Sequence, residues 1–545
     1  MFMQQPQADR LVQAAATALA AGRITQAASL LDQAVRTDPH HPMALTKLAE
    51  LAVLRKDHAR ALPLTAAALA VEPNFAPAWH QRAAACWLAG RQHDALHAAR
   101  RAVDIQPPNP EFRLRLAQFA AWSGHSPEAR DALGPLLAAE RHDQTHYAAA
   151  LSMLGELAIA EGRFDAANTF LDQALDLLPT LDVIRMLRGM NRLRLGQFRA
   201  GWADYAAREA ISTLCPDGQP EVAAQTWQGQ PLSGKTLLVT DDQGNGDAIQ
   251  FFRYLPLLRN RGASHITWRT LPPLVRLFRA AAPCATVLDT LPRDARFDLQ
   301  SNAASLPRWF ETELHSIPAT VPYLHPPSHR PATQRAKTAQ SLAGQSQAGQ
   351  SQAGHSQAGH SQAGDSQAGH SQAGQSSGRR SQAPLPRVGL VWSGDARHTR
   401  DHLRSIPAEL FLSLTEVPGI SFHSLQHEVR AADLPALAAR PAIARDVEKA
   451  VDLADTATLI ATLDLVITVD TCVAHLTGAL GKPVWILLHV APDWRWLTER
   501  TNSPWYPTAR LFRVTPTEWP GTAEGPNWNP VLGRVATALQ AFAAA

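Results

Sequence analysis

Cysteine is scarce in this 545-residue chain, and the four that occur stand far apart. Cys86, Cys215, Cys284 and Cys472 form no CxxC pair, which excludes a zinc ribbon and a disulfide-framed fold and fits a reduced compartment. Charge is also sparse: 18% of residues are charged and the formal net charge is +3, too little and too evenly spread for a nucleic-acid partner. No apolar run reaches the roughly 18 residues that a membrane helix needs. The opening "MFMQQPQADR" lacks the basic-then-apolar design of a signal peptide. Together these absences predict a soluble, cytoplasmic protein with no membrane span. At this length a single core is excluded, and about two to four domains are expected.

What is present begins with a repeat. Pro39, Pro73 and Pro107 lie 34 residues apart, as do the turn positions Gly22, Lys56, Gly90 and Gly124. Gly162 follows after 38 residues and Gly196 after another 34. Ala27, Ala61, Ala95 and Ala129 each come five residues after a turn; Ala34, Ala68 and Ala102 come seven later. This phase describes paired antiparallel helices. A turn residue in the left-handed conformation ends the first helix, alanines let helices approach, and proline closes the pair. Trp79, Ala83 and Leu88 are expected to face inward in the third unit. The pattern resembles the tetratricopeptide repeat, with about six units over residues 8–215. Such arrays curve around a concave groove, which suits a protein or peptide partner; a rigid spacer or dimer surface is the plainer alternative.

Residues 341–375 are seven pentads of the "SQAGH" kind. They offer almost no apolar surface to bury, so 336–383 is expected to be a disordered linker. Its histidines, His355, His360 and His370, are read as solvated rather than as metal ligands. The linker separates two segments, 225–335 and 384–545, in which short apolar runs alternate with helical patterns. Strands are expected at 235–240, 265–270, 285–289 and 297–301, then at 387–394, 420–426, 464–470, 483–488 and 509–514. Runs of this length, alternating with helices, indicate buried parallel strands and two Rossmann-like domains facing a cleft. The fold class expected is therefore α + α/β, an α-solenoid followed by a pair of such domains.

Ligands in these folds bind at the carboxyl ends of the strands. In "VDTCVAHLTGALGKP" (469–483) a buried strand runs into Asp470 and Thr471, then a helix of small residues with His475 one turn in. Either residue can cap that helix, whose free amides make a natural phosphate site; plain capping with a packed histidine is the simpler reading. In "GNGDAIQ" (244–250), Gly246 and Asp247 open a helix after the first strand. Asp247 suits the helix dipole. Alternatively, as a carboxylate in a dry cleft, it suits proton abstraction. Gln243 and Gln250 flank it as weaker candidates for sugar hydroxyls. The stretch 389–407 carries Arg397, His398, Arg400, Arg404 and Ser405, either as an exposed basic loop or as countercharge for a departing phosphate. Trp494, Trp496, Trp505 and Tyr506 crowd one segment; they are expected to fill the seam where the terminal helix packs rather than to stack on a ligand.

These turns resemble those of the heptosyltransferase-like GT-B glycosyltransferases of family 9, over about 225–335 and 384–540. The resemblance implies transfer of a sugar from a nucleotide-diphosphate donor to a hydroxyl, with inversion and with no metal or other cofactor. It implies that Asp247, beside Gly246, is the general base. It also implies that Asp470, Thr471, Cys472 and His475 surround the donor diphosphate. "WSG…RSIP" resembles the tetratricopeptide-linked group of such transferases, with Arg404 and Ser405 as the best matches, and so does "APDWRWLTERTNSPWYPTARLFR" (491–513). Two departures stand out. Heptosyltransferases proper usually carry glycine where this chain has Cys472, and a lysine in the loop where this chain has none between 389 and 407. Two other readings stay open: an inactive scaffold of the same fold, and an enzyme of the protein O-GlcNAc transferase type acting on a protein acceptor.

Overall fold

The computed structural model describes residues 5–138, 143–211, 222, 224–241, 243–327, 384–396, 398, 401–519 and 526–545. The linker, Arg397, Arg400 and Cys215 lie outside them. Helices α1 (Gln5–Ala20), α2 (Ile24–Thr37), α3 (Pro42–Leu54), α4 (His58–Val71), α5 (Ala76–Leu88) and α6 (Gln92–Ile105) form the first three pairs. The next three are α7 (Pro110–Trp122), α8 (Ser126–Ala138), α9 (Gln144–Ala160), α10 (Phe164–Leu177), α11 (Asp182–Arg194) and α12 (Phe198–Tyr205), followed by a short α13 (Arg208–Ile211).

The repeat phase translates directly into backbone. Gly22, Gly90, Gly124, Gly162 and Gly196 all have φ between 71° and 78°, and Lys56 takes the same turn position at φ 59°. Ala27, Ala61, Ala95 and Ala129 are fully buried, and so are Ala34, Ala68 and Ala102 to within 1%. The longer step to Gly162 has a cause: α9 spans 17 residues where α3, α5 and α7 span 13. Ala83 packs inward as expected and Trp79 is half-buried, but Leu88 is 36% exposed. It stands at the last turn of α5, where the helix leaves the contact with its neighbours.

Two parallel sheets follow. The first contains β1 (Gln225–Thr226), β2 (Thr236–Thr240), β3 (His265–Arg269), β4 (Thr286–Leu288) and β5 (Leu299–Asn302) in the order β1-β5-β2-β3-β4. The second contains β6 (Arg387–Val391), β7 (Ser421–Ser424), β8 (Leu465–Val469), β9 (Val484–Leu488) and β10 (Ala509–Arg513) in the order β10-β9-β8-β6-β7. Every ladder in both is parallel. All nine anticipated strands are present. β1, a two-residue edge strand, is too short to leave a hydrophobic signature. In each sheet the chain reverses its direction of travel once, between β2 and β5 and between β6 and β8. Those are the points where ligands settle in doubly wound folds.

The halves are not separate globules. One apolar core contains Leu237 and Phe251 from the first, Val466, Leu476 and Trp505 from the second, and Leu193, Phe198 and Trp202 from the last repeat. A second core lies on the far face of the second sheet, where the helix Asn529–Ala544 contributes Val531, Leu532, Val535 and Leu539. The crowded aromatics thus fill a different seam from the one expected. Trp494 meets Trp202 edge-on with centroids 5.2 Å apart, and Trp505 lies 6.3 Å from Phe198. They cover the end of the solenoid, not the terminal helix. Trp494, Trp496, Trp505 and Tyr506 are all buried, so no open ring face is left for a ligand.

Candidate functional site

The two singled-out turns meet. The helix Asn245–Phe252 follows β2 and the helix Cys472–Ala479 follows β8, so both begin at carboxyl ends of strands. Their first turns are in contact. A Cβ placed on Gly246 would lie 2.8 Å from His475 Cδ2 and 3.6 Å from Cys472 Cα. Only glycine tolerates that approach, which gives Gly246 a steric reason independent of chemistry.

Asp247 takes up the first of the two roles weighed for it, at the start of its helix. Its Oδ2 accepts a hydrogen bond from the Gly244 N–H at 3.1 Å, closing the helix start. Its Oδ1 is ion-paired with Arg495, which comes from the other half of the molecule. The side chain keeps 23% exposure. Burial pushes its pKa above the usual carboxylate range, an effect eased by Arg495 and reinforced by Asp493.

Thr471 is the N-cap residue of its helix, but its own side chain makes no hydrogen bond to that first turn. Its Oγ1 bonds instead with Thr468 Oγ1 at 3.2 Å. The cap is therefore left to backbone or ligand, as an anion site requires. Asp470 has its carboxyl pushed up to about 6 by burial and by Asp493, against the pull of Arg404. The Cys472 thiol is pushed up to about 11 by burial, so it stays neutral beside the amides. His475 is buried, with Nδ1 bonded to the Tyr506 hydroxyl at 2.9 Å. Burial, with help from Arg495, drops its pKa to about 3. It can offer a neutral imidazole to this site, not a positive charge.

Arg404 and Ser405 are tied to the same region but turned to different tasks. Arg404 Nη1 donates to the Asp470 carbonyl at 3.1 Å, and its Nε to Asp401 at 3.1 Å. Ser405 is buried; its hydroxyl bonds Asp401 at 2.9 Å and accepts from the Gly394 N–H at 3.0 Å. Arg430 completes this knot by pairing with Asp401 and donating to the Gly394 carbonyl at 3.1 Å. Ser405 thus braces the turn after β6, and Arg404 joins that turn to Asp470. Gln250 is fully buried, with no hydrogen-bond partner among the described residues, and Gln243 is bound to the Tyr205 hydroxyl at 2.9 Å. Neither stands open toward a substrate.

Three contributors escaped the sequence reading. Arg495 bridges Asp247 and Asp493, the latter at 2.7 Å, and lies 4.3 Å above the Trp494 ring. Arg253 crosses the seam to the Trp505 carbonyl at 2.7 Å and sits 4.7 Å over the Tyr506 ring. Arg276 reaches Asp452 at 2.7 Å and also pairs with Asp455 in the opposite half. A signal existed for the first: a cation flanked by tryptophans in "DWRW" must find a carboxylate if that segment is buried.

The last repeats hold these loops directly. Arg194 Nε donates to the Pro492 carbonyl at 3.0 Å, and Trp202 Nε1 to the Thr312 carbonyl at 2.9 Å. Val490 and Ala491 pack into the core of α9–α11. The loop that carries Asp493 and Arg495 is therefore seated on the solenoid.

Comparison with known proteins gives matches to both parts. A tetratricopeptide repeat family model matches residues 18–86 and 87–154. The model of glycosyltransferase family 9 (heptosyltransferase) matches residues 425–497, which include Asp470, Thr471, Cys472, His475, Asp493 and Arg495. Protein FlbA of Caulobacter vibrioides is 26% identical over 419 residues, 72% of this chain. The chain spans 60% of the length of that relative. Among solved structures, a tetratricopeptide protein of Thermus thermophilus shares 22% identity over 34% of this chain and 99% of its own, with a TM-score of 0.30. A tetratricopeptide repeat protein of Parabacteroides merdae shares 16% over 39% of this chain and 81% of its own, with a TM-score of 0.31. No helix of the described residues is long and apolar enough to cross a membrane. The chain thus joins a tetratricopeptide repeat array to two parallel α/β sheets, the second of which holds the segment 425–497 that matches glycosyltransferase family 9.

Proposed function

We propose that the chain transfers a sugar from a nucleotide-diphosphate donor to a hydroxyl of a protein or glycan acceptor, with inversion and without a metal. Asp247 takes the acceptor proton as the acceptor oxygen bonds the anomeric carbon. The bond from that carbon to the diphosphate breaks, and its electron pair leaves with the phosphate. Asp470, Thr471, Cys472 and His475 line the diphosphate, with Gly246 against them and Arg404 and Ser405 bracing the turns. The repeat groove presents the acceptor, and the scarce, widely spaced cysteines suit a reaction in the cytoplasm. The observation that carries this reading is the contact between the Gly246–Asp247 turn and the uncapped turn at Thr471, each at a switch point of its sheet. A second reading rests on the closeness of that contact. With Gly246 against His475 and Asp247 neutralised by Arg495, the chain could serve as an inactive scaffold of the same fold.

Thermal melting with ADP, GDP, UDP and CDP separates the two. A ligand bound by the folded state alone raises the melting temperature. A transferase responds to at least one nucleotide; a scaffold with a filled cleft responds to none.

A further inference from the structure

We propose that Arg495 is the cation that receives the donor's diphosphate, and that it does so by releasing Asp247. The inference rests on the transferase reading above and adds a partner exchange to it. Arg495 is 8% exposed and stands between two carboxylates, Asp247 from the first half and Asp493 from its own loop. Its Nε–H is buried and has no acceptor among the described residues. A guanidinium cannot shed its proton, so a buried one must always be matched by an anion, and its planar fork suits a phosphate better than a single carboxylate oxygen.

The neighbouring arginines are committed elsewhere. Arg404 holds the Asp470 carbonyl and Asp401. Arg430 holds Asp401 and the Gly394 carbonyl. Arg253 is spent on the Trp505 carbonyl and the Tyr323 hydroxyl. Arg495 alone of these four is paired to the candidate base. It also offers a cation to a site whose 389–407 loop carries no lysine.

The exchange has a mechanistic consequence. With the donor absent, Asp247 is tied up in its pair with Arg495, so it is a poor acceptor of protons. When a diphosphate takes the guanidinium, the Arg495–Asp247 pair breaks and an Arg495–phosphate pair forms. Asp247 is then left in the same poorly solvated place without its countercharge, ready to accept the hydroxyl proton. The base is armed only when a donor is seated, which protects against idle proton transfer.

The test is a binding cycle on the full chain, with whichever of the four nucleoside diphosphates raises the wild-type melting temperature most. Arg495→Gln is expected to weaken its Kd by about thirtyfold or more, the scale of truncating one partner of a buried charge pair. Arg495→Lys retains part of the affinity. Asp247→Asn binds the same nucleotide several-fold more tightly than wild type, because the guanidinium no longer has to leave a carboxylate. That gain disappears when Asp247→Asn is made in the Arg495→Gln background. Calorimetric titration measures all five constants. Unchanged affinity in Arg495→Gln overturns the proposal, as does a gain from Asp247→Asn that is absent or equal in both backgrounds. If Arg495→Gln does not fold, Arg495→Lys provides the second background, in which the gain must shrink. A wild type that answers to no nucleotide removes the transferase reading itself, and the proposal with it.

Discussion

Gly246 touches His475: a single added methyl group on the first would stand 2.8 Å from the ring of the second. The two halves of the molecule are registered against each other through this point, where a bare backbone meets a neutral imidazole.

Gly246→Ala is therefore expected to force the two turns apart. Overpacking of this kind costs about 1–3 kcal/mol, which exceeds the roughly 1 kcal/mol that alanine gains over glycine in a helix. Gly244→Ala is the control, since its Cβ would meet only Asp247 Oδ2, at 3.5 Å. Denaturant melts of the two variants should differ, with Gly246→Ala the less stable. Equal stability would mean that the turns separate freely in solution.

Asp247→Asn should abolish proton abstraction while keeping the fold, since asparagine can still accept from the Gly244 N–H. Donor hydrolysis or transfer is expected to fall by about 10²- to 10⁴-fold, the usual worth of a general base. Turnover unchanged in a folded variant removes Asp247 from the reaction.

Asp470 gives a pH signature. Its pKa rises from 3.8 unfolded to about 6 folded, through burial and Asp493, so between those values the folded state holds more protons than the unfolded one. Stability from this group is thus fully present below pH 4 and is lost as pH rises through 6. Other groups, including His475 with the opposite sign, cancel when a variant is compared with wild type. The melting-temperature excess of Asp470→Asn over wild type should be near zero at pH 4 and largest above pH 6. A pH-independent difference would contradict the assignment.

Trp202→Ala removes a buried ring that packs edge-on against Trp494 and donates to the Thr312 carbonyl. A loss of about 3–5 kcal/mol is expected from the cavity alone. Because the partner ring neighbours Arg495, nucleotide affinity should fall as well. Affinity kept intact in the destabilised protein would show that the solenoid supports the fold without setting the site.

The repeat array was legible almost to the residue because its signal recurs. Gly22, Gly90 and Gly124 say the same thing three times, and the buried alanines repeat it. The strands were legible because runs such as "DLVITVD" are apolar on both faces. What stayed hidden was every relationship between distant segments. Nothing near Asp247 in the chain announces Arg495, 248 residues away. Nothing in Ser405 says that its hydroxyl faces inward to Asp401 rather than outward to a ligand. The aromatic segment was seen as a seam filler, but its neighbour was misjudged, because apolar rings carry no label for the partner they cover.

The shared core of Leu193, Phe198 and Trp202 with Trp494 and Trp505 also decides where this molecule can be cut or recombined. A break near residue 215 leaves tryptophans bare on one fragment and takes their cover away on the other. The last two helical pairs travel with the two α/β sheets, so a recipient of a foreign array would have to accept it ahead of α9. The first four pairs can be exchanged only for an array whose last helices replace the packing of α7 and α8 on Ala150, Met153 and Leu157 of α9.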